Sequence, residues 1–270
     1  MANRLPWAVV PTPEPSYVLP VVEVVEETAD TRSITLGVPA DLRESFRFRP
    51  GQFLTVAVPS EETGLVARAY SLCSSPLDLA TLVFTVKRTP EGFGSRWIHE
   101  HVRVGDTLRV LVPSGIFTPT SLDDDLLLLA AGSGVTPMMS IIRTMLAPAA
   151  AGGGAGRVVL LYANRDAGSV IFADALDDLV AAHSGRLEVV HWLEDERGLP
   201  TAEQIGTFAA SYDTWHTFCC GPKPFMATVA DALRERGFPR ARRHHERFVS
   251  LGGNPFGDPD APHVGGITRL

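Results

Sequence analysis

The feature that most constrains this chain is a change of pattern near Gly115. Before it, short runs rich in β-branched residues follow one another at close spacing, with turn residues between them and little helical periodicity. After it, continuous apolar runs alternate with segments whose apolar residues recur every three or four positions. The first pattern predicts an antiparallel barrel or sandwich, and the second predicts a parallel sheet covered by helices on both faces.

The runs before Gly115 number six: YVLPVVEVVEE, SITLGV, QFLTVAV, RAYSLCS, LVFTVKR and TLRVLVP. We therefore predict a six-stranded antiparallel β-barrel of the Greek-key type over residues 18–118, preceded by an N-terminal arm at 1–17. A doubly wound α/β domain should follow over 119–249, and a Gly/Pro-rich linker or tail over 250–270. Within the second domain, the Gly/Ala segment at 147–157 predicts a mobile connector.

Composition excludes several classes of protein. A net charge of −7 on 270 residues argues against binding to nucleic acid or to an anionic membrane, and no run approaches the length of a membrane span. Three cysteines, Cys73, Cys219 and Cys220, cannot form a disulfide framework and have no metal-binding spacing. We therefore expect a cytoplasmic protein without a metal site. The basic cluster RARRHHER (240–247) predicts a solvated helix end or loop, or alternatively a docking face for an acidic redox partner.

The stretch GSGVTP (132–137) lies between an apolar strand and a helix. There, Gly132 and Gly134 would let the backbone approach a pyrophosphate, and the helix N-terminus would offer unpaired N–H groups. Pro137 stands where the third glycine of G-x-G-x-x-G would be, and we expect it at helix position N1 with Thr136 as the N-cap. A glycine turn without a ligand is the alternative.

Two other strand ends carry candidate nucleotide contacts. Asp166 could accept hydrogen bonds from ribose hydroxyls, which favours NADH, whereas Arg165 could hold a 2′-phosphate, which favours NADPH. Both nucleotides stay open, with NADH slightly favoured. Cys220 also lies at the carboxyl end of a predicted strand, whereas Cys219 is expected to be a core residue.

The stretch RAYSLCSSP (68–76) is unusually polar for a strand. In regular alternation Arg68 and Tyr70 face one way and Ser71 the other, so one ligand can contact all three only by wrapping the end of the strand. A flavin dinucleotide offers a diphosphate for Arg68, a ring system for Tyr70 and ring heteroatoms for Ser71. Downstream, VKRTPEGFGSRW supplies further donors for a diphosphate: Gly92, Gly94 and Ser95.

Seven motifs in order resemble the ferredoxin–NADP reductase superfamily over most of the chain: RAYS, VKR, GFGS, GSGVTP, YANR, CGPKPFM and HERF. Within it, the chain is similar to the reductase components of multicomponent oxygenases, especially those of the 3-ketosteroid 9α-hydroxylase and phenylacetyl-CoA epoxidase type. The resemblance implies FAD contacts from Arg68, Tyr70, Ser71, Leu72, Val86, Lys87, Arg88, Gly94, Ser95 and Phe248. It implies nicotinamide-nucleotide contacts from Gly132, Gly134, Thr136, Pro137, Arg165, Asp166, Cys220, Gly221, Pro222 and Phe225.

The same resemblance implies three catalytic residues. Ser71 would lie near the redox-active ring nitrogen of the flavin, Cys220 would help to place the nicotinamide, and Glu246 would tune the electrostatics or relay a proton. Phe248 would cover the second face of the flavin.

We therefore expect a monomeric FAD-dependent NAD(P)H reductase that passes electrons to an iron–sulfur protein, either a ferredoxin domain or an oxygenase component. The relatives implied by the resemblance carry a plant-type ferredoxin domain after the reductase, and the cysteine spacing of that domain is not found here, so we expect no iron–sulfur cluster in this chain. One alternative is a flavin reductase that acts directly on a quinone, oxygen or a ferric chelate. The other is a non-catalytic nucleotide-binding subunit.

Overall fold

The computed structural model of the chain describes residues 16–60, 64–248 and 255–256. The arm expected at 1–17 and the tail expected at 250–270 lie almost entirely outside the described residues. None of the helices in the described parts of the chain is both long and apolar enough to cross a membrane.

The first half folds as a six-stranded antiparallel sheet with strand order β4-β3-β6-β1-β2-β5. Leu72, just after β4, forms an antiparallel bridge with Phe84 of β5, which joins the two edge strands and closes the barrel. Both residues are fully buried in a core made by the inward face of every strand. The elements are β1 (Tyr17–Thr28), β2 (Thr31–Gly37), β3 (Phe53–Ser60), β4 (Gly64–Ser71), β5 (Thr81–Lys87), α1 (Phe93–His101) and β6 (Thr107–Val110).

The second half is a five-stranded parallel sheet with order β11-β10-β7-β8-β9. Alternate residues of its central strand pack on opposite faces: Leu126 and Leu128 against one helical layer, Leu127 and Leu129 against the other. The elements are β7 (Leu126–Ala131), α2 (Val135–Met145), β8 (Val158–Asn164), α3 (Ala173–Ala182), β9 (Leu187–Leu193), α4 (Glu194–Arg197), α5 (Ala202–Ala209), β10 (His216–Cys220), α6 (Lys223–Glu235) and β11 (Arg243–Glu246). Both predicted architectures are confirmed.

The order of the parallel strands fixes where a ligand can enter. The chain runs outward from β7 through β8 to β9 and then returns to place β10 on the other side of β7. The carboxyl ends of β7 and β10 therefore flank the topological switch point, where open α/β sheets bind ligands.

Three local expectations were wrong. A 3₁₀ turn at Gly132–Gly134 leads directly into α2, so the helix begins at Val135 and Pro137 is its third residue. Proline is tolerated there because N–H groups in the first helical turn have no partner within the helix. Gly134 is the N-cap, and the Thr136 hydroxyl instead donates to the Ser133 carbonyl at 3.0 Å.

The second error concerns RARRHHER, which forms a 3₁₀ turn and the strand β11 rather than a helix end or loop. The third concerns the segment at 147–157. The guanidinium of Arg186 donates to the carbonyl groups of Met145, Gly154 and Gly156, at 2.8 to 3.0 Å. A Cβ atom at Gly154 would lie 1.9 Å from the Leu122 carbonyl oxygen, so the glycine is required for close packing and the segment is anchored.

Candidate functional site

A cleft of about 360 Å³ opens where the carboxyl end of β4 meets β5, the start of α1 and the loop before α2. We call it the polar cleft. At the end of β4, side chains from both faces of the strand line this one cleft. A single ligand could therefore contact Arg68, Tyr70 and Ser71, as the sequence requires. Its lining residues are Arg68, Ala69, Tyr70, Ser71, Thr85, Lys87, Thr89, Glu91, Gly92, Phe93, Gly94, Ser95, Ser133, Thr136 and Phe248.

Arg68 presents a cation to this cleft. Its guanidinium donates to the Ala67 carbonyl at 2.9 Å, and within the described parts of the chain no carboxylate pairs with it. Gly94 lies against its aliphatic stem, since a Cβ atom there would be 2.8 Å from Arg68 Cγ. The arginine therefore has unused donors and a fixed position.

The amino end of α1 adjoins Arg68. Gly92 is the N-cap, it provides no side-chain cap, and the first turn holds no acidic residue. Ser95 donates its hydroxyl to the Gly92 carbonyl at 3.0 Å, which tightens the turn. The unpaired N–H groups of this turn and the helix dipole favour an anion at this point.

Tyr70 forms the apolar wall of the cleft. Its ring stacks on Phe84, with centroids 5.4 Å apart and planes 22° from parallel. Burial raises the pKa of its hydroxyl well above the ordinary value, so the phenol stays neutral. A flat aromatic ligand can therefore lie along this wall without meeting a charge.

The structure brings the three expected catalytic residues together. Ser71 Oγ donates to Glu246 Oε2 at 3.5 Å, at the long end of hydrogen-bond distances. Glu246 is the register partner of Cys220 in the parallel pair formed by β10 and β11. Two domains therefore contribute to one cluster.

The electrostatics of this cluster differ from those of exposed groups. Burial raises the pKa of Glu246 to about 7, and the hydrogen bond from Ser71 opposes that rise. Burial, with a smaller contribution from the Glu246 charge, raises the pKa of the Cys220 thiol well above its usual range. Near neutral pH Glu246 can therefore hold or release a proton, whereas Cys220 stays a neutral thiol.

The glycine loops after β7 and β10 lie directly against each other. A Cβ atom at Gly134 would be 2.2 Å from the carbonyl oxygen of Cys220, and one at Gly221 would be 3.0 Å from Ala131 Cβ. Gly132 has φ +52°, which favours glycine, and the space beside it is open. The two loops expected to hold a nicotinamide nucleotide thus form one surface at the switch point.

The other expected contacts do not line the polar cleft. Arg165 is exposed and approaches Asp30 at 3.9 Å, and the backbone N–H of Asp166 donates to Ser169 Oγ at 3.2 Å. The Arg88 backbone N–H donates to the Asp30 carbonyl at 2.7 Å. Pro222 is the exposed N-cap of α6. Four of the expected residues are buried in the cores: Leu72, Val86, Pro137 and Phe225.

Sequence reasoning missed six residues that line the cleft: Ala69, Thr85, Thr89, Glu91, Phe93 and Ser133. For Thr85 a signal existed. It lies two positions before Lys87 on β5, and side chains two apart in a strand share a face, so the alternation pointed to Thr85 rather than to Val86.

Comparison with known proteins agrees with this geometry. A family described as an oxidoreductase FAD-binding domain matches residues 18–118, and one described as an oxidoreductase NAD-binding domain matches residues 128–231. The ferredoxin reductase component of 3-ketosteroid-9-alpha-monooxygenase from Rhodococcus rhodochrous is 54% identical over 249 residues, which span 92% of this chain and 70% of that protein.

More distant relatives share the same architecture. One component of the 1,2-phenylacetyl-CoA epoxidase from Escherichia coli is 36% identical over 250 residues, which span 87% of this chain and 68% of that protein. The solved structure of phthalate dioxygenase reductase superposes with a TM-score of 0.67 at 27% identity, over 86% of this chain and 68% of that one. The chain therefore belongs to the ferredoxin–NADP reductase superfamily, as an NAD(P)H-dependent, FAD-containing oxygenase reductase of the 3-ketosteroid-9-alpha-monooxygenase type.

Proposed function

We propose that this reductase delivers electrons from NADH or NADPH to an iron–sulfur protein, either a ferredoxin or the oxygenase component, in a system of the 3-ketosteroid type. FAD, when bound, supplies the chemistry that converts a two-electron donor into successive one-electron transfers. The single observation that carries the proposal is the polar cleft. There an arginine with no carboxylate partner among the described residues, a helix start without a side-chain cap and a neutral aromatic wall meet the Ser71–Glu246 pair.

The donors of the cleft fit a flavin dinucleotide. Arg68 and the first turn of α1 would hold the diphosphate, because both offer unpaired N–H donors and positive potential. Ser95 would stabilise that turn, and the Lys87 side chain, which lines the cleft 3.5 Å from Asp30, adds a second cation. The exposed edge of Tyr70 would receive the ring system.

The Ser71 hydroxyl and Glu246 would act on the reacting end of the ring. Ser71 would stabilise charge that develops on a ring heteroatom, as a preorganised donor does. Glu246, with its pKa of about 7, would hold or supply a proton through that hydroxyl. Cys220, a neutral thiol beside them, would pack against the nicotinamide and help to exclude water.

The nicotinamide nucleotide would lie on the joined glycine loops. Ser133 and Thr136 already line the cleft, and the loop at Cys220–Pro222 abuts Gly134. Phe248 is half exposed at the mouth of the cleft and would cover the second flavin face until the nicotinamide displaces it.

The test is a comparison of electron acceptors with the FAD-loaded protein and NADH. The acceptors are an acidic plant-type 2Fe–2S ferredoxin, menadione, oxygen and ferric citrate. The proposal expects the highest kcat/KM with the ferredoxin. A higher value with menadione, oxygen or ferric citrate would favour a reductase that acts directly on small molecules, and no oxidation of NADH with any acceptor would favour a non-catalytic subunit.

A further inference from the structure

A second concave surface lies on the nicotinamide side of the molecule, between α6 and β11. It encloses about 310 Å³. Its floor is apolar and includes the buried side chains of Met226, Val229 and Leu233, with the exposed Ala227 and Ala230 beside them. Its rim holds Arg240, Arg243, His245 and Arg247. We call it the α6–β11 groove.

The groove is lined by basic residues, whereas the chain as a whole is acidic. The protein has a net charge of −7, yet the residues that line the groove include three arginines and two histidines and neither aspartate nor glutamate. Across residues 16–60, 64–248 and 255–256, none of the three arginines forms an ion pair. The Nε atom of Arg243 is buried and has no hydrogen-bond partner within the same residues. The basic rim and the apolar floor together are complementary to an occupant that carries carboxylates around an apolar side chain.

The position of β11 relates this groove to the polar cleft. Glu246, at the end of β11, reaches Ser71, whereas Arg243 at its start lines the groove. Three residues separate them, which is about 10 Å along a strand. Because side chains three positions apart in a strand face opposite sides of the sheet, the groove and the polar cleft lie on opposite faces of it. The two surfaces meet at the end of β11, where Arg247 lines the groove and the next residue, Phe248, lines the cleft.

The edge of the sheet is also open at this point. Among the residues that the structure describes, β11 is the outermost strand of the sheet and pairs with β10 alone. Within those described residues, no strand pairs with the outer edge of β11, so its backbone donors and acceptors can bind a partner, and the arginines on the rim favour an acidic one.

We propose that the α6–β11 groove docks an acidic segment of the electron-accepting protein, with an apolar side chain of that protein inserted between Met226 and Leu233. This inference rests on the proposed function, because the occupant is the acceptor of that reaction. Charge steers the encounter, and the apolar floor supplies the short-range contact.

The experiment measures steady-state reduction of an acidic plant-type 2Fe–2S ferredoxin by the FAD-loaded protein. Arg240→Glu reverses an exposed rim charge, and Ala230→Trp fills the groove without a change of charge. The matched control is Arg43→Glu, an exposed arginine on the other domain. Each variant is also assayed with menadione, a small uncharged acceptor that needs no docking surface.

At low salt, Arg240→Glu is expected to raise the KM for ferredoxin about fivefold, with an effect that fades as salt is added, because rim charges act through screened attraction. Ala230→Trp is expected to raise it about tenfold at any salt concentration, because it removes the apolar contact. Arg43→Glu should change it less than about twofold, and all three variants should reduce menadione like the wild type.

Different failures have different meanings. If the wild type reduces ferredoxin and either groove variant does so with an unchanged KM, the groove is not the docking site, whereas the proposed function stands. If the wild type reduces menadione but not ferredoxin, the iron–sulfur acceptor is refuted and the docking surface with it.

Discussion

The pH dependence of stability tests the electrostatics of the site without any cofactor. Glu246 has an ordinary pKa of 4.5, which burial raises to about 7 in the folded protein. Folding therefore favours the protonated form of Glu246. Its contribution to the free energy of unfolding is fully present below about pH 4.5, falls between pH 4.5 and 7, and is lost above pH 7. A rise of this size corresponds to at most about 3 kcal/mol.

The assay is urea unfolding of flavin-free wild type and Glu246→Gln, followed by circular dichroism at a series of pH values from about 5 to about 9. Glutamine resembles the protonated carboxyl in shape but does not ionise. The free energy of unfolding of the wild type should therefore fall relative to that of the variant by about 2–3 kcal/mol over this range. Glu235→Gln, at the exposed end of α6, is the control and should show no comparable fall. A constant difference between wild type and Glu246→Gln would refute the argument from burial.

Three further changes test the cleft and the loops. Ser71→Ala should leave FAD bound and slow its reduction by NADH between about 10- and 1000-fold in stopped-flow measurements, and an unchanged rate would remove Ser71 from the mechanism. Phe248→Ala should change the affinity for NADH or NADPH at least about threefold. If the variant and the wild type have the same kinetics with each nucleotide, stacking by Phe248 is contradicted. Gly134→Ala should destabilise the protein by about 1–3 kcal/mol, because its Cβ would meet the Cys220 carbonyl at 2.2 Å. Ser133→Ala is its control, and equal melting temperatures would refute that contact.

Much of the fold follows from local pattern. LLLLAA and VVLLYAN are continuous apolar runs, and they form β7 and β8 over the residues expected, because both faces of a parallel sheet are buried. The convergence of Ser71 and Glu246 has a different origin. The two residues are 175 positions apart, and only the resemblance to a known family placed them in one site.

The sequence does not predict which backbone segments lie in close contact with each other. Gly134 was expected to approach a phosphate, yet the group nearest to it is the carbonyl of Cys220. The glycines of the 147–157 segment were expected to give mobility, yet they allow close packing that Arg186 then fixes. Composition alone does not distinguish a glycine that permits motion from a glycine that permits contact.

In the proposed reaction, FAD bound in the polar cleft receives electrons from a nicotinamide nucleotide held on the adjoining glycine loops. The most direct measurement is anaerobic titration of the FAD-reconstituted protein with NADH, or with NADPH, while the visible absorption band of the flavin is recorded. We expect one bound FAD per chain and complete bleaching by one equivalent of the preferred nucleotide. Protein that does not retain FAD, or bound FAD that neither nucleotide bleaches, would contradict it.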